Sequence, residues 1–164
     1  MGTIQIHEMT ADETGYDKTD NTVRFKQAND TAYDTADRLQ IQTAAITYSY
    51  TKNLRAYVSV APDTDFTNLQ AYSDGASGFG NGVSVEYEVE QTFSAHTDGD
   101  IDGTDIFTKT SGATIDLDSN DTEWVNGDGT GYWADHLRMQ MQVTTTASPG
   151  TLTAETLTFS YDET

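Results

Sequence analysis

Leu137-Arg138-Met139-Gln140-Met141-Gln142-Val143 alternates apolar and polar side chains without a break. Successive side chains of a strand point to opposite faces, so this run predicts an antiparallel strand with Leu137, Met139, Met141 and Val143 on a core face. The same period recurs on both sides of it. Val83, Val85, Tyr87 and Val89 alternate with Ser84, Glu86, Glu88 and Glu90. Leu157, Phe159 and Tyr161 alternate with Thr156, Thr158 and Ser160, and Ile46, Tyr48 and Tyr50 with Thr47 and Ser49. Leu54, Ala56, Val58 and Val60 alternate with Arg55, Tyr57 and Ser59. Shorter candidates are Thr3–Glu8, Thr22–Lys26, Leu69–Ser73, Ile106–Thr110 and Thr114–Leu117. Gly-, Asn- and Asp-rich turns separate them, as at Gly78-Phe79-Gly80-Asn81-Gly82 and Asn126-Gly127-Asp128-Gly129. The reading is an all-β chain, a single antiparallel β-sandwich or jelly-roll-like domain over residues 1–164 with roughly nine or ten short strands. Only Asp30–Arg38 hints at a helical turn, and Thr and Asp are poor helix formers.

Charge narrows the function. Among 164 residues, 27 are acidic and 8 basic, for a net charge of −19, and there is no Cys. A field of that sign repels phosphate backbones, so nucleic acid is not an expected partner. No apolar run approaches the ~20 residues of a membrane span, so no membrane partner is expected. The start, MGTIQIHEMTADE, has no basic n-region and no apolar h-region, which predicts synthesis in the cytoplasm without a signal peptide. Asp98, Asp100, Asp102 and Asp105 lie well within one another's fields at the ~8 Å Debye length of physiological salt, but far less so at the ~3 Å of 1 M salt. Many Asp, few Lys, much Thr and few large aliphatics suggest a protein that works in concentrated salt.

Catalytic motifs are scarce. His7, His96 and His136 stand in no metal-ligand spacing, and no GxSxG elbow or P-loop is present. Pairs of carboxylates at glycosidase separation arise by chance in so acidic a chain and identify nothing. Trp124, Tyr132 and Trp133 could stack on sugars, but aromatics beside turns in a β protein are more often core plugs or interface residues. Asp98-Gly99-Asp100-Ile101-Asp102-Gly103-Thr104-Asp105 matches the front half of a calcium loop. Its Asp98, Asp100, Asp102 and Asp105 form a candidate site for calcium or magnesium. The back half fails, because Lys109 stands where a bidentate Glu belongs. The scarce basic residues Arg24, Lys26, Lys52, Arg55 and Arg138 are a candidate partner-binding stripe, provided their strands are neighbours. Isolated cross-strand ion pairs are the alternative.

Three stretches carry a resemblance. Leu137–Val143 leads through Thr146-Ala147-Ser148-Pro149-Gly150-Thr151 into Leu157-Thr158-Phe159-Ser160-Tyr161-Asp162-Glu163. Thr22–Lys26 precedes an Asn/Asp-rich loop and then Tyr48–Arg55, and Phe79–Val83 is a loop entering a strand. This arrangement resembles β-sandwich minor capsid and decoration proteins of tailed viruses, with an acidity fitting a virus of a salt-loving archaeal host. The resemblance implies a virion structural protein, a decoration protein on the outside of an icosahedral head or else a tail component. It implies the major capsid protein and further copies of this chain as partners, a closed trimer in the simplest case, and it carries over no catalytic residue. A halophilic module binding calcium or carbohydrate is the competing class, and a small β-fold glycosidase or lyase a third.

Unscreened carboxylates should cost stability. Lowering salt from ~1 M to ~0.01 M lengthens the Debye length from ~3 to ~30 Å, and the melting temperature should fall steadily. A melting temperature unchanged across that range contradicts the salt-adapted reading.

Overall fold

The stretch 137–143 lies in the longest strand of the protein. The computed structural model describes residues 1–32, 36–95, 99, 101, 103–120 and 123–164. Eleven strands occur among them: β1 (Thr3–Met9), β2 (Gly15–Asp17), β3 (Thr47–Tyr48), β4 (Lys52–Val60), β5 (Asp65–Tyr72), β6 (Val83–Glu90), β7 (Thr104–Asp105), β8 (Ile115–Asp116), β9 (Glu123–Val125), β10 (Gly131–Val143) and β11 (Thr158–Glu163). The larger sheet runs β2-β1-β4-β10-β6-β7, with β3 also on β10. The smaller runs β11-β5-β8, with β9 also on β5. Every pairing is antiparallel, and the two sheets pack as a β-sandwich.

The alternation decides which residues meet between the layers. Ile4 and Ile6 of β1 pair with Val58 and Ala56 of β4, and Leu54 pairs with Leu137 of β10. With Met139, Met141, Val143 and Val85 these residues form the inner face of the larger sheet. Phe66, Leu69, Ala71, Ile115 and Leu117 answer from the other layer. Trp133 and Phe66, each 0 % exposed, stack across the gap with ring centroids 6.2 Å apart. Two buried rings in contact contribute about 0.5–1.5 kcal/mol beyond their area burial.

Beside Trp133 the β10 strand bulges. Trp133 pairs with Ala56 and Leu137 with Leu54, so Ala134, Asp135 and His136 face Arg55 alone. Two extra residues preserve the parity, and Leu137 returns to the core. The backbone absorbs the excess at Ala134, whose φ of 66° lies in the left-handed region. Asp135 N–H then donates to the Leu117 carbonyl at 2.8 Å, which ties the bulge to the smaller sheet.

Several expectations fail for physical reasons. Thr22–Lys26 is not a strand, because no neighbouring strand pairs with it. Ile106–Thr110 gives instead a 3-10 turn at Ile106–Thr108, whose Phe107 N–H donates to the Asp105 carboxylate. No described residue of 30–38 is helical, and residues 33–35 fall outside the description. Most consequentially, the polar face of β10 is not wet. His136, Arg138 and Gln140 are 3 %, 7 % and 0 % exposed. The segment after β6 crosses that face, and Ser94 accepts from Asn53 Nδ2 at 2.7 Å and from Thr51 Oγ1 at 3.2 Å.

The bulge gives a test. Ala134→Gly removes a Cβ from a left-handed position and should change stability by less than ~1 kcal/mol. Ala134→Val puts a β-branched residue there and should cost more than ~2 kcal/mol. Denaturant unfolding of both variants checks this, and equal losses would contradict it.

Candidate functional site

The five basic residues singled out in the sequence go to four different places. Lys26 and Lys52, 1 % and 3 % exposed, lie in an ion cluster at one end of the sandwich. Lys52 Nζ meets Glu8 Oε1 at 2.8 Å and the Asp30 carbonyl at 2.5 Å. Lys18 Nζ approaches the other Glu8 oxygen at 3.5 Å and donates to the Thr31 carbonyl at 3.0 Å. Lys26 pairs with Asp30 at 2.6 Å and holds that carboxyl below its usual range. Lys18 and Lys52 thus fasten the segment after β2 to the sheet, and the Lys26–Asp30 pair lies within that segment. Arg138 is covered by the segment after β6, where it pairs with Glu88 and donates to Ser94 Oγ. Arg24 is half-buried in the cleft between the layers. Arg55 alone of the five stands on the open half of the outer face. The structure therefore does not gather the five into one stripe.

That half carries rings, with Arg55, Tyr57 and Tyr132 half-buried and His7 buried. His7 lies across from Arg55 in the β1–β4 ladder, and Tyr132 from Tyr57 in the β4–β10 ladder. His7 stacks on Tyr57 at 4.7 Å, and Tyr132 meets both edge-on at 5.6 and 5.1 Å. The Arg55 guanidinium sits 5.8 Å from the Tyr132 centroid, while its Nε donates to the Ala134 carbonyl of the bulge at 2.8 Å. Polar atoms link the rings in a chain. Tyr132 O–H reaches His7 Nδ1 at 3.2 Å, His7 Nε2 reaches Gln5 Oε1 at 3.3 Å, and Gln5 Nε2 donates to Asp17 at 3.0 Å. These partners suit a neutral His7 with its proton on Nε2. Desolvation lowers the His7 pKa, with Asp17 opposing, and raises that of Tyr132. Gly15 of β2 is required here, since a Cβ would strike the Tyr132 hydroxyl and His7 Nδ1. The neighbouring His136 lies under Phe93, and burial pushes its pKa down to about 4, with Arg55 adding to the shift.

The other aromatic candidates are structural. Trp133 is the core plug. Trp124 packs against Gly131 and donates to the Gly129 carbonyl at 3.3 Å, which closes the β9–β10 turn. Asp98, Asp100 and Asp102 of the acidic loop lie outside the described residues, and Asp105 caps the 3-10 turn at 3.0 Å from Phe107 N. Among the described residues no three of His, Asp and Glu form a metal cluster.

A second feature has no signature in the sequence. A cleft of about 1040 Å³ opens between the layers, floored by Leu54, Val85, Met139 and Met141 and walled by Phe107 and Phe159. Segments without regular structure, within 18–25, 38–41 and 147–157, form its roof. Val23 and Phe25, which line the cleft, alternate with Thr22, Arg24 and Lys26 and so read as a strand rather than as the wall of a cleft.

No family model, curated protein or solved structure matches the chain. No helix among the described residues is long and apolar enough to cross a membrane.

The ion cluster is testable on stability. Lys52→Met and Glu8→Gln should each cost about 3–5 kcal/mol by leaving a buried charge short of its partner. The double variant should lose clearly less than the sum, as measured by a double-mutant cycle in urea. Additive losses would show that the two charges do not depend on each other.

Proposed function

We propose that the chain is a structural protein of a virion, a minor capsid or decoration protein that works in concentrated salt and docks through the open half of its larger sheet. One observation carries the reading: the cluster Tyr57, Tyr132, His7 and Arg55 on the outer face of β1, β4 and β10. Tyr and Arg dominate the energetics of protein interfaces, because they bring area, rigidity and a polar tip to one place. Here the rings are pre-packed on a sheet and Arg55 is held by the bulge carbonyl, so little ordering is left for binding. Lys26, Lys52 and Arg138 are buried inside, which leaves the surface dominated by carboxylates. Such a surface disfavours indiscriminate contacts and leaves the ring cluster as the adhesive patch. The major capsid protein and neighbouring copies of this chain are the partners this reading names.

The reading is tested on particles. Antibody to the protein should label the heads of purified virions regularly in high salt. Tyr57→Ser and Arg55→Ser should each weaken rebinding to stripped particles roughly thirtyfold, the effect of losing about 2 kcal/mol at a hot spot, with melting temperatures retained. Labelling confined to tails would keep the virion class and move the task to attachment. Unlabelled particles would overturn the proposal.

A further inference from the structure

We infer that Asn81 is a site of self-modification, at which the chain converts its own asparagine to aspartate and isoaspartate through a cyclic imide. The inference does not rest on the virion reading. Two Asn-Gly pairs occur in the sequence, Asn81-Gly82 just before β6 and Asn126-Gly127 just after β9. At such a pair the glycine nitrogen attacks the side-chain amide carbon, because no Cβ crowds its approach. The bond from Gly82 N to Asn81 Cγ forms and the Cγ–Nδ2 bond breaks. The amide leaves as ammonia, taking the proton lost from Gly82 N. Water then opens the ring. Addition at Cγ breaks the new bond and gives aspartate. Addition at the main-chain carbonyl breaks the original peptide bond and gives isoaspartate, with the chain rerouted through the side chain. Nothing is oxidised or reduced, and water is the co-reactant.

The fold treats the two pairs differently. Asn81 is exposed, and among the described residues neither its side chain nor the Gly82 N–H finds a hydrogen-bond partner. Asn126 is tied twice. Its Nδ2 donates to the Pro62 carbonyl at 2.6 Å, and its N–H to the Thr64 carbonyl at 2.8 Å. It also opens the 3-10 turn Asn126–Asp128, and ring closure needs ψ to leave the helical range. Position 82, moreover, admits only glycine. Its φ is 79°, and a Cβ there would strike the Ala147 nitrogen and the Thr144 and Thr146 hydroxyls. A Cβ at Gly127 meets nothing. Packing thus demands, after Asn81, the residue that hinders ring closure least. The product carries a further negative charge, and isoaspartate an extra main-chain carbon, beside the Gly82 carbonyl that accepts from Thr144 N at 2.8 Å.

Incubation of the full chain at mildly alkaline pH in concentrated salt, followed by peptide mass spectrometry and isoaspartate detection, tests the site. Asn81 should steadily gain the mass of the acid, with isoaspartate among the products. Asn126 should convert roughly tenfold more slowly or less, the rate equivalent of one ordinary hydrogen bond that must first break. In guanidinium chloride the two pairs should convert at similar rates, which assigns the difference to the fold. Asn81→Gln, at an exposed position, should keep the melting temperature and remove the isoaspartate formed in folded protein. An Asn81 that stays intact in the folded chain while it converts in the unfolded one overturns the inference. So does an Asn126 that converts as fast as Asn81 in the folded protein. None of these results bears on whether the protein labels virions.

Discussion

The structure depends on β10 being enclosed on both faces. Its inner face, Trp133, Leu137, Met139, Met141 and Val143, joins the two sheets through Phe66 and its neighbours. Its outer face carries His136, Arg138 and Gln140, and groups of that kind are buried only at a cost unless they find partners. Glu88 and Ser94 partner Arg138, the Ser49 carbonyl accepts from Gln140 Nε2 at 2.8 Å, and His136 packs edge-on against Phe93. The segment after β6 is therefore held against the sheet by the strand it covers. The cover ends before Tyr57 and Tyr132. One sheet face thus has a sealed polar half and a half-buried aromatic half, and Arg55, tied to the bulge carbonyl, marks the boundary.

The fold class and the long strands were legible because period 2 identifies an inner face. Val83–Glu90 matches β6, and Leu54–Val60 falls within β4. The same period was silent on whether the second face is dry. Arg138 and Gln140 look like surface residues in the sequence because the residues that cover them, Ser94 and Ser49, lie more than 40 residues away and have no pattern of their own. Short strands such as β2 and β9 have three residues each, too few to show a period.

The site was legible only in fragments. His7 and Tyr57 each fall on the polar side of a strand, but their stacking depends on the β1–β4 register, which one sequence does not encode legibly. The basic stripe required all its residues on the outer faces of neighbouring strands; β4 and β10 are neighbours, but Lys26 is in an irregular segment and Lys52 shares the inner parity of Met139. What scarcity of lysine does foreshadow is internal use. In a chain with four lysines, three converge near Glu8 and Asp30, two of them anchoring a long connection that has almost no regular structure.

The division of the outer face is open to direct chemical measurement, since the chain has no cysteine to interfere. Single cysteines introduced as Gln140→Cys and Tyr57→Cys can be timed against a thiol reagent in folded protein. Cys at 57 should react in the folded protein without unfolding, and Cys at 140 orders of magnitude more slowly, at a rate set by unfolding. Equal rates at the two positions would mean that the outer face is not divided, and the account of both the polar layer and the docking patch would fail together.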